Sequence, residues 1–281
     1  MAALQGIKRR IKSVRSTRQI TKAQQMVEAS KLRRAQATAL GPQPYTVAAN
    51  ELLARLAGGT SAKRHPWFNA RPVEHALTIV VAADRGMAGA YNSNVLRALG
   101  VHLHETPAKH LGIAVGRRAA NQVARASDID EVASYGMDRV DADTALARPI
   151  LAQAVELYNE GKVDAVHLIY THFVSTVKYE VITRQLLPIV ATQSSLEPEM
   201  EPDASELLEF AARRVLEAEV LQAILEARAS ENASRMVAMK NATENAEDLI
   251  SDLTLAFNNA RQASITQEIA EISAGAEAIT E

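Results

Sequence analysis

The residues of this 281-residue chain best placed for chemistry are Asp84-Arg85-Gly86-Met87-Ala88-Gly89-Ala90-Tyr91-Asn92. They follow an apolar run and precede a helix-like stretch, and a glycine loop in that position can cradle a phosphate with backbone N–H groups. Gly86 and Gly89 give only G-x-x-G, without the dinucleotide fingerprint or the Gly-Lys-Ser/Thr of a P-loop. The loop therefore reads as a surface turn, with nucleotide binding as its rival, and Asp84 with Arg85 as either an interaction site or an ion pair across the turn. His102 and His104 are two apart on a predicted helix and face away from each other. The other histidines, His65, His75, His110, His167 and His172, show no ligand spacing. No Ser/His/Asp set or isolated carboxylate pair stands out, and the absence of cysteine removes thiolate metal sites, thiol nucleophiles and disulfides from this chain. The sequence predicts no catalytic, cofactor or metal residue.

The elements around the loop predict an α/β layer domain with a mixed sheet over residues 77–196. Strands are expected at 77–83, 111–115, 132–135, 163–170 and 179–187, the last two as a hairpin. Helices are expected at 93–103, 117–126 and 144–159. A linker at 58–76 precedes this domain.

Few glycines and prolines, 12 and 9, and an aromatic content of 4% favour long helices over strand-and-turn architecture. The formal charge of −2 conceals a strong asymmetry. Residues 1–40 carry ten Lys/Arg against Glu28 alone, a net +9, and residues 197–281 carry six basic and eighteen acidic residues, a net −12. Such polarity implies that one end has a partner, and the partner can be the other end. The first 22 residues, basic and acid-free, also fit a transit peptide. Leu4, Ile7, Ile11 and Val14 nevertheless continue a helical pattern to Leu40, and a mature helix is the reading adopted here. No run reaches the roughly 20 apolar residues of a membrane span.

From Asp203 to Ile279 there is no proline, and Gly275 is the only glycine, so one helix is expected over 203–281. Met239, Ala242, Ala246, Leu249, Leu253, Ala256, Ala260 and Ala263 suggest a 3,4-spaced seam, followed by Ile265, Ile269, Ile272, Ala276 and Ile279. The natural mate is a helix over 1–57, kinked near 41–44 by Pro42 and Pro44. Two terminal helices of opposite charge would pair antiparallel, and the length of the second implies a rod. A basic helix can also bind nucleic acid, but no aromatic residue precedes Tyr45 to stack on bases, and the acidic end competes for the same cations.

The two ends resemble the gamma subunit of F-type ATP synthase. The stretch ITQEIAEISAGAEA at 265–278 fits that family's signature through Ile265-Thr266, Glu268, Glu271 and Gly275-Ala276. SRMVAMKNATENAEDLI at 234–250, NNARQASIT at 258–266, IKRRIKSVRSTRQITKA at 7–23 and ASKLRRAQ at 29–36 are similar to family sequence, and DRGMAGAYN resembles the family's loop after the first strand. Four positions depart from it: Gln24, Gln25 and Glu28 stand where the family commonly has Met, Glu and Ala, and Asn259 where a basic residue is frequent.

The resemblance implies a long antiparallel two-helix coiled coil built by the chain ends and a central Rossmann-like α/β domain. It implies no bond chemistry and no cofactor, but a shaft inside a ring of alpha and beta subunits, joined below to the epsilon subunit and the membrane rotor ring. The protein would be peripheral to the cytoplasmic side of a cell membrane, without direct membrane insertion or nucleic acid. Carried over by motif position, Arg261, Gln262, Thr266 and Glu268 would contact loops of the catalytic subunits, opposite Thr21 and Lys22. Ile269, Ile272, Ala276 and Ile279 would form an apolar bearing tip, and Asp84, Arg85 and Gly86 mark the loop of the α/β domain.

Overall fold

The computed structural model describes residues 2–41, 47–51, 53–54, 65–137, 143–189 and 204–280. Helix α1 spans Ala2–Leu40, and a 3-10 turn at Pro66–Phe68 leads into β1 (His75–Val81). Then come α2 (Tyr91–Glu105), β2 (Lys109–Val115), α3 (Arg117–Val123), β3 (Ile129–Tyr135), α4 (Asp143–Asn159), β4 (Ala165–Phe173), β5 (Tyr179–Leu187) and α5 (Ala204–Thr280). The predicted kink at Pro42 and Pro44 and most of the predicted linker lie outside the described residues. Two compact units emerge, Ala29–Arg235 and the combination of Met1–Glu28 with Met236–Glu281.

The first unit is built on a five-stranded sheet in the order β3-β2-β1-β4-β5. β1 pairs parallel with β2 and β4, β2 pairs parallel with β3, and β5 closes the edge antiparallel to β4 as the expected hairpin. The central strand β1 is buried along six of its seven residues because helices cover both faces. Leu77, Ile79, Val81, Ile113, Val115 and Leu168 pack on one face against Ile150, Ala154 and Tyr158 of α4 and Ala212, Leu216, Ala223 and Ile224 of α5. Val80, Ala82, Ala114 and Ile169 pack on the other against Val95 and Leu99 of α2 and Ala119 and Val123 of α3. One face of the sheet is therefore shared between α4 and a helix from the far end of the sequence.

Element boundaries moved where polar residues hid a strand or apolar ones overran it. β3 begins at Ile129 rather than at residue 132, since Asp130 and Glu131 lie on an edge strand and face water. β1 stops at Val81, although Ala82 and Ala83 prolong the apolar run, because the Ala83 N–H turns to the Asn92 side chain at 3.0 Å.

In the second unit α1 and α5 run antiparallel: Thr21 meets Thr243 at 2.8 Å, and Arg18 meets Glu247 at 3.6 Å. On α1 the inward stripe is Leu4, Ile7, Ile11, Val14, Arg18, Thr21, Gln25 and Glu28, all buried or half-buried at alternating three- and four-residue steps. On α5 it is Met239, Thr243, Ala246, Ile250, Leu253, Phe257, Ala260 and Ser264. This corrects the predicted seam at three positions, since Leu249, Ala256 and Ala263 face outward. The helix offered two stripes one residue apart, and the true one carries Thr243 and Ser264, polar residues that an apolar pattern passes over.

Gly116, between β2 and α3, adopts φ +91°, and a Cβ there would sit 2.0 Å from the Ala82 carbonyl oxygen. Gly136 meets nothing within 4 Å and needs no such conformation. Gly116→Ala should therefore cost about 3 kcal/mol or more, or prevent folding, while Gly136→Ala is neutral. Guanidinium unfolding followed by Trp67, the sole tryptophan, which is buried beside α4, reads the difference.

Candidate functional site

The loop singled out by its glycines is a joint between the sheet and α5. Asp84 receives the Arg117 N–H on Oδ1 and the Met137 N–H on Oδ2, each at 2.8 Å, which ties the turn after β1 to the start of α3 and the end of β3. Among the described residues the Asp84 carboxylate meets these two backbone donors and forms no ion pair with Arg85. Arg85 is exposed. Met87 and Gly89 take the left-handed conformation, φ +59° and +53°, that closes the turn.

The carbonyls exposed by this turn accept from α5. The Gly86 oxygen receives Arg235 Nε–H at 3.2 Å, and the Ala88 oxygen receives Ser234 Oγ–H at 2.6 Å. Tyr91 Oη–H donates to the Ala227 carbonyl at 3.2 Å, Arg228 donates to the Met137 carbonyl, and Ser230 Oγ–H donates to the Thr171 carbonyl at 3.4 Å. His172 Nδ1 meets Glu226 at 2.6 Å. Residues 226–235 of α5 therefore lie across the carboxyl ends of β1, β3 and β4. That edge is where open α/β sheets take nucleotides, and here a helix fills it. The nucleotide reading of the loop loses its site.

The charges in this joint are buried and paired. Arg235 Nη2 sits 2.6 Å from Glu231 Oε1, with both side chains at 5% exposure or less, and Arg228 lies 3.7 Å from the same carboxylate. Burial first, and the Glu231 charge next, push the Tyr91 phenol far above its ordinary value, so it remains a hydrogen-bond donor. Sequence reasoning matched Ser234 and Arg235 to family-like sequence without giving either a role. Their partners, 146 and 149 residues away, leave no local signal.

The residues expected to touch partners lie in the two-helix unit. Thr21 is buried in the seam and bonded to Thr243, whereas Lys22, Arg261, Gln262, Thr266 and Glu268 are exposed. The structure does not set Thr21 and Lys22 opposite 261–268. Thr243 is the residue facing Thr21, and residue 261 lies 18 positions further along, about 27 Å of helix. The Thr21–Thr243 and Arg18–Glu247 contacts fix a register that brings α1 to its start near Ser264. Ile265, Ile269 and Ile272 lie beyond that point, at 47%, 59% and 72% exposure. The side chains of Ala276 and Ile279 lie outside the described residues.

The departures Gln25 and Glu28 fall on the seam: Gln25 Oε1 is buried without a hydrogen-bond partner among the described residues, and Glu28 is 4% exposed. Lys8, Arg9, Arg10, Lys12 and Arg15 are exposed along α1.

A family model described as ATP synthase matches residues 3–279. The ATP synthase gamma chain of Exiguobacterium sibiricum is 41% identical over 290 residues, covering 99% of both chains, and that of Moorella thermoacetica is 39% identical over 282 residues, covering 99% of this chain and 100% of its own. The chain belongs to the ATP synthase gamma-chain family. Solved structures agree on the fold. A chain of the Euglena gracilis mitochondrial ATP synthase OSCP/F1/c-ring structure superposes with TM-score 0.69 at 19% identity, covering 99% of this chain and 95% of its own. A chain of the rotor structure from the same organism gives 0.66 at 18% identity, with 94% and 99% covered. The Tetrahymena thermophila central stalk/c-ring structure gives 0.61 at 22%, with 79% and 99% covered. The gamma-family fold is thus a mixed α/β sheet domain with long terminal helices, as the sequence implied.

Three substitutions, at the buried joint and in the seam, test these contacts in the gamma-family chain. Arg235→Met removes the nearer of the two guanidinium groups beside the buried Glu231 carboxylate, leaving Arg228 at 3.7 Å, and should cost about 3 kcal/mol in denaturant unfolding read by Trp67. In the seam, the Thr21 and Thr243 hydroxyls share one hydrogen bond at 2.8 Å, and each also reaches a carbonyl one turn back on its own helix, Arg18 at 3.1 Å and Met239 at 2.8 Å. Thr21→Val and Thr243→Val should each cost about 1–2 kcal/mol, with the double variant costing about 1 kcal/mol less than their sum in a thermal-melt cycle.

Proposed function

We propose that this gamma-family chain is the central rotor shaft of a proton-driven ATP synthase, a non-catalytic subunit peripheral to the cytoplasmic face of a cell membrane. Its partners would be the alpha and beta subunits of the catalytic ring, the epsilon subunit and the membrane rotor ring. The observation that carries the reading is the stretch of α5 that outlasts α1 while exposing Ile265, Ile269 and Ile272. An apolar stripe on a single helix in water calls for a surrounding surface, and a collar within the ring supplies one to the tip formed by Ile269, Ile272, Ala276 and Ile279. Among the described residues no helix is long and apolar enough to cross a membrane, so attachment would run through protein partners.

A shaft does its work by being unequal on its sides. Three equivalent sites around a symmetric rod would stay equivalent. A pair of unlike helices, one basic and one acidic, makes different contacts with each beta subunit, and each contact shifts that subunit's conformational equilibrium by its own differential affinity. Arg261, Gln262, Thr266 and Glu268, all exposed on α5, are the side chains assigned to those contacts, with Lys22 on α1. Thr21, held within the seam, would position Lys22 rather than touch a partner.

Adding the chain to purified alpha and beta subunits should raise their ATPase activity several-fold; an unchanged rate would remove the rotor reading. Arg261→Ala should lower the reconstituted rate about fivefold, the equivalent of about 1 kcal/mol for one exposed charged contact, without altering assembly by gel filtration.

A further inference from the structure

Three histidines from three elements converge on the face of the sheet under α2. His102 comes from the last turn of α2, His110 from β2 and His167 from β4. The ring centroid of His102 stands 4.6 Å from that of His167 and 5.9 Å from that of His110. Beneath them, Thr78 of β1 pairs directly with His167 across the β1–β4 ladder. The cluster sits at the outer end of the apolar layer formed by Val80, Val95, Leu99 and Ile169.

Its polar atoms are unusually short of partners. His102 Nε2, His110 Nδ1, His167 Nδ1 and Thr78 Oγ1 are all buried without a hydrogen bond among the described residues. His110 Nε2 is 3.0 Å from the Thr106 carbonyl, an acceptor that requires the proton on Nε2 and leaves Nδ1 as a bare lone pair in the neutral ring. Buried polar groups are nearly always satisfied, and a concentration of exceptions marks a place with another task. Among the described residues no three such side chains are arranged to hold a metal ion. A proton is a ligand that a buried ring nitrogen with a free lone pair can take.

We propose that His102, His110 and His167 form an acid-sensitive latch that seats the last turn of α2 on the sheet when neutral and releases it when protonated. Three imidazoles packed ring to ring tolerate one another as neutral groups, whereas adjacent imidazolium ions repel. The carboxylates that soften that repulsion stand on the His110 side, where Asp128 and Asp130 line, with His104 and Lys109, the cleft that His110 also lines, away from the His102–His167 contact. α2 itself offers Glu105, the one carboxylate acting on His102. β1 offers only the Thr78 hydroxyl, and β5, on the far side of β4, sets the uncharged Gln185 opposite His167. α3 adds Ala119 and Val123 to the same layer.

The direction of the pH effect follows from the same packing. Burial, then the charges of His102 and His110, draw the His167 imidazole down to about 4, and burial followed by His110 lowers His102 as well. Their folded values lie below the ordinary value of 6.5, so the unfolded segment binds protons more readily than the folded one. The latch is at full strength above pH 6.5 and weakens as pH falls toward 4. On acidification, the α2 face is therefore the part of the α/β unit that loosens first.

Hydrogen–deuterium exchange of the full chain, assembled with alpha and beta or alone, tests this between pH 7.5 and 5.0 after correction for intrinsic exchange. Protection of peptides covering residues 99–106 should fall at least tenfold, while peptides covering 226–235 hold theirs. His167→Leu, which keeps the volume and removes the central proton acceptor, should cut the pH-dependent loss to less than half. Should that variant fail to fold, ring resonances of the unaltered protein should show two histidines titrating well below pH 6. Protection at 99–106 that is indifferent to pH, or three rings titrating at ordinary values, would overturn the proposal.

Discussion

Everything in the α/β unit depends on a polar joint buried where an open sheet would otherwise present a crevice. Arg235 and Glu231, 2.6 Å apart and nearly inaccessible, lie on a helix whose neighbouring Ser234, Ser230, Arg228 and Ala227 exchange hydrogen bonds with the ends of three strands. A buried ion pair gains little net stability by itself. Its value is that each group is satisfied only in one register of helix against sheet. Sliding α5 by one residue would orphan the Gly86 and Ala88 carbonyls and the Tyr91 hydroxyl together. Apolar packing of Leu216, Ala223 and Ile224 would tolerate such a slip far better.

The paired helices solve a different problem with weaker means. Their seam is apolar near Leu4, Ile7, Leu253 and Phe257, but α1 contributes the polar Arg18, Thr21, Gln25 and Glu28 where it passes the stretch of α5 from Ala246 through Thr243 to Met239 and beyond. Arg18 and Glu247 are each about half exposed, so their ion pair contributes little, and the Thr21–Thr243 hydrogen bond sets register at small cost. A seam of this kind specifies one alignment without great stability. The opposite charges of the two chain ends favour that partner and that direction, in keeping with the role electrostatics plays in association generally.

Much of this was legible in the sequence, and its failures have physical causes. Long unbroken helices announce themselves by lacking proline and glycine, and a fully buried central strand by its run of Leu77, Ile79, Val80 and Val81. The family resemblance rested on motifs spread from Ile7 to Ala278, and the whole-chain match agrees with it. The seam was misread by one residue at alternate positions because Thr243 and Ser264 look like surface residues in a periodic count. The placement of Thr21 opposite 261–268 failed because register is a pairwise property that neither helix encodes alone. Asp84 was read by its charge, while the fold uses its two acceptors for backbone donors on other elements. The histidine cluster was invisible for the same reason: His102, His110 and His167 share no spacing, and only the β2-β1-β4 order gathers them.

The central claim is that this chain turns as an asymmetric shaft within a ring of catalytic subunits. The most direct measurement fixes an alpha–beta ring to a surface, attaches a probe to this chain through a cysteine introduced on the exposed face of its α/β unit, and follows the probe under ATP. Since the native chain has no cysteine, the label is unambiguous. Sustained rotation in one direction with three pauses per turn is the predicted result. A probe that stays still, or only diffuses about its mean position while the ring hydrolyses ATP at its full rate, would contradict the account.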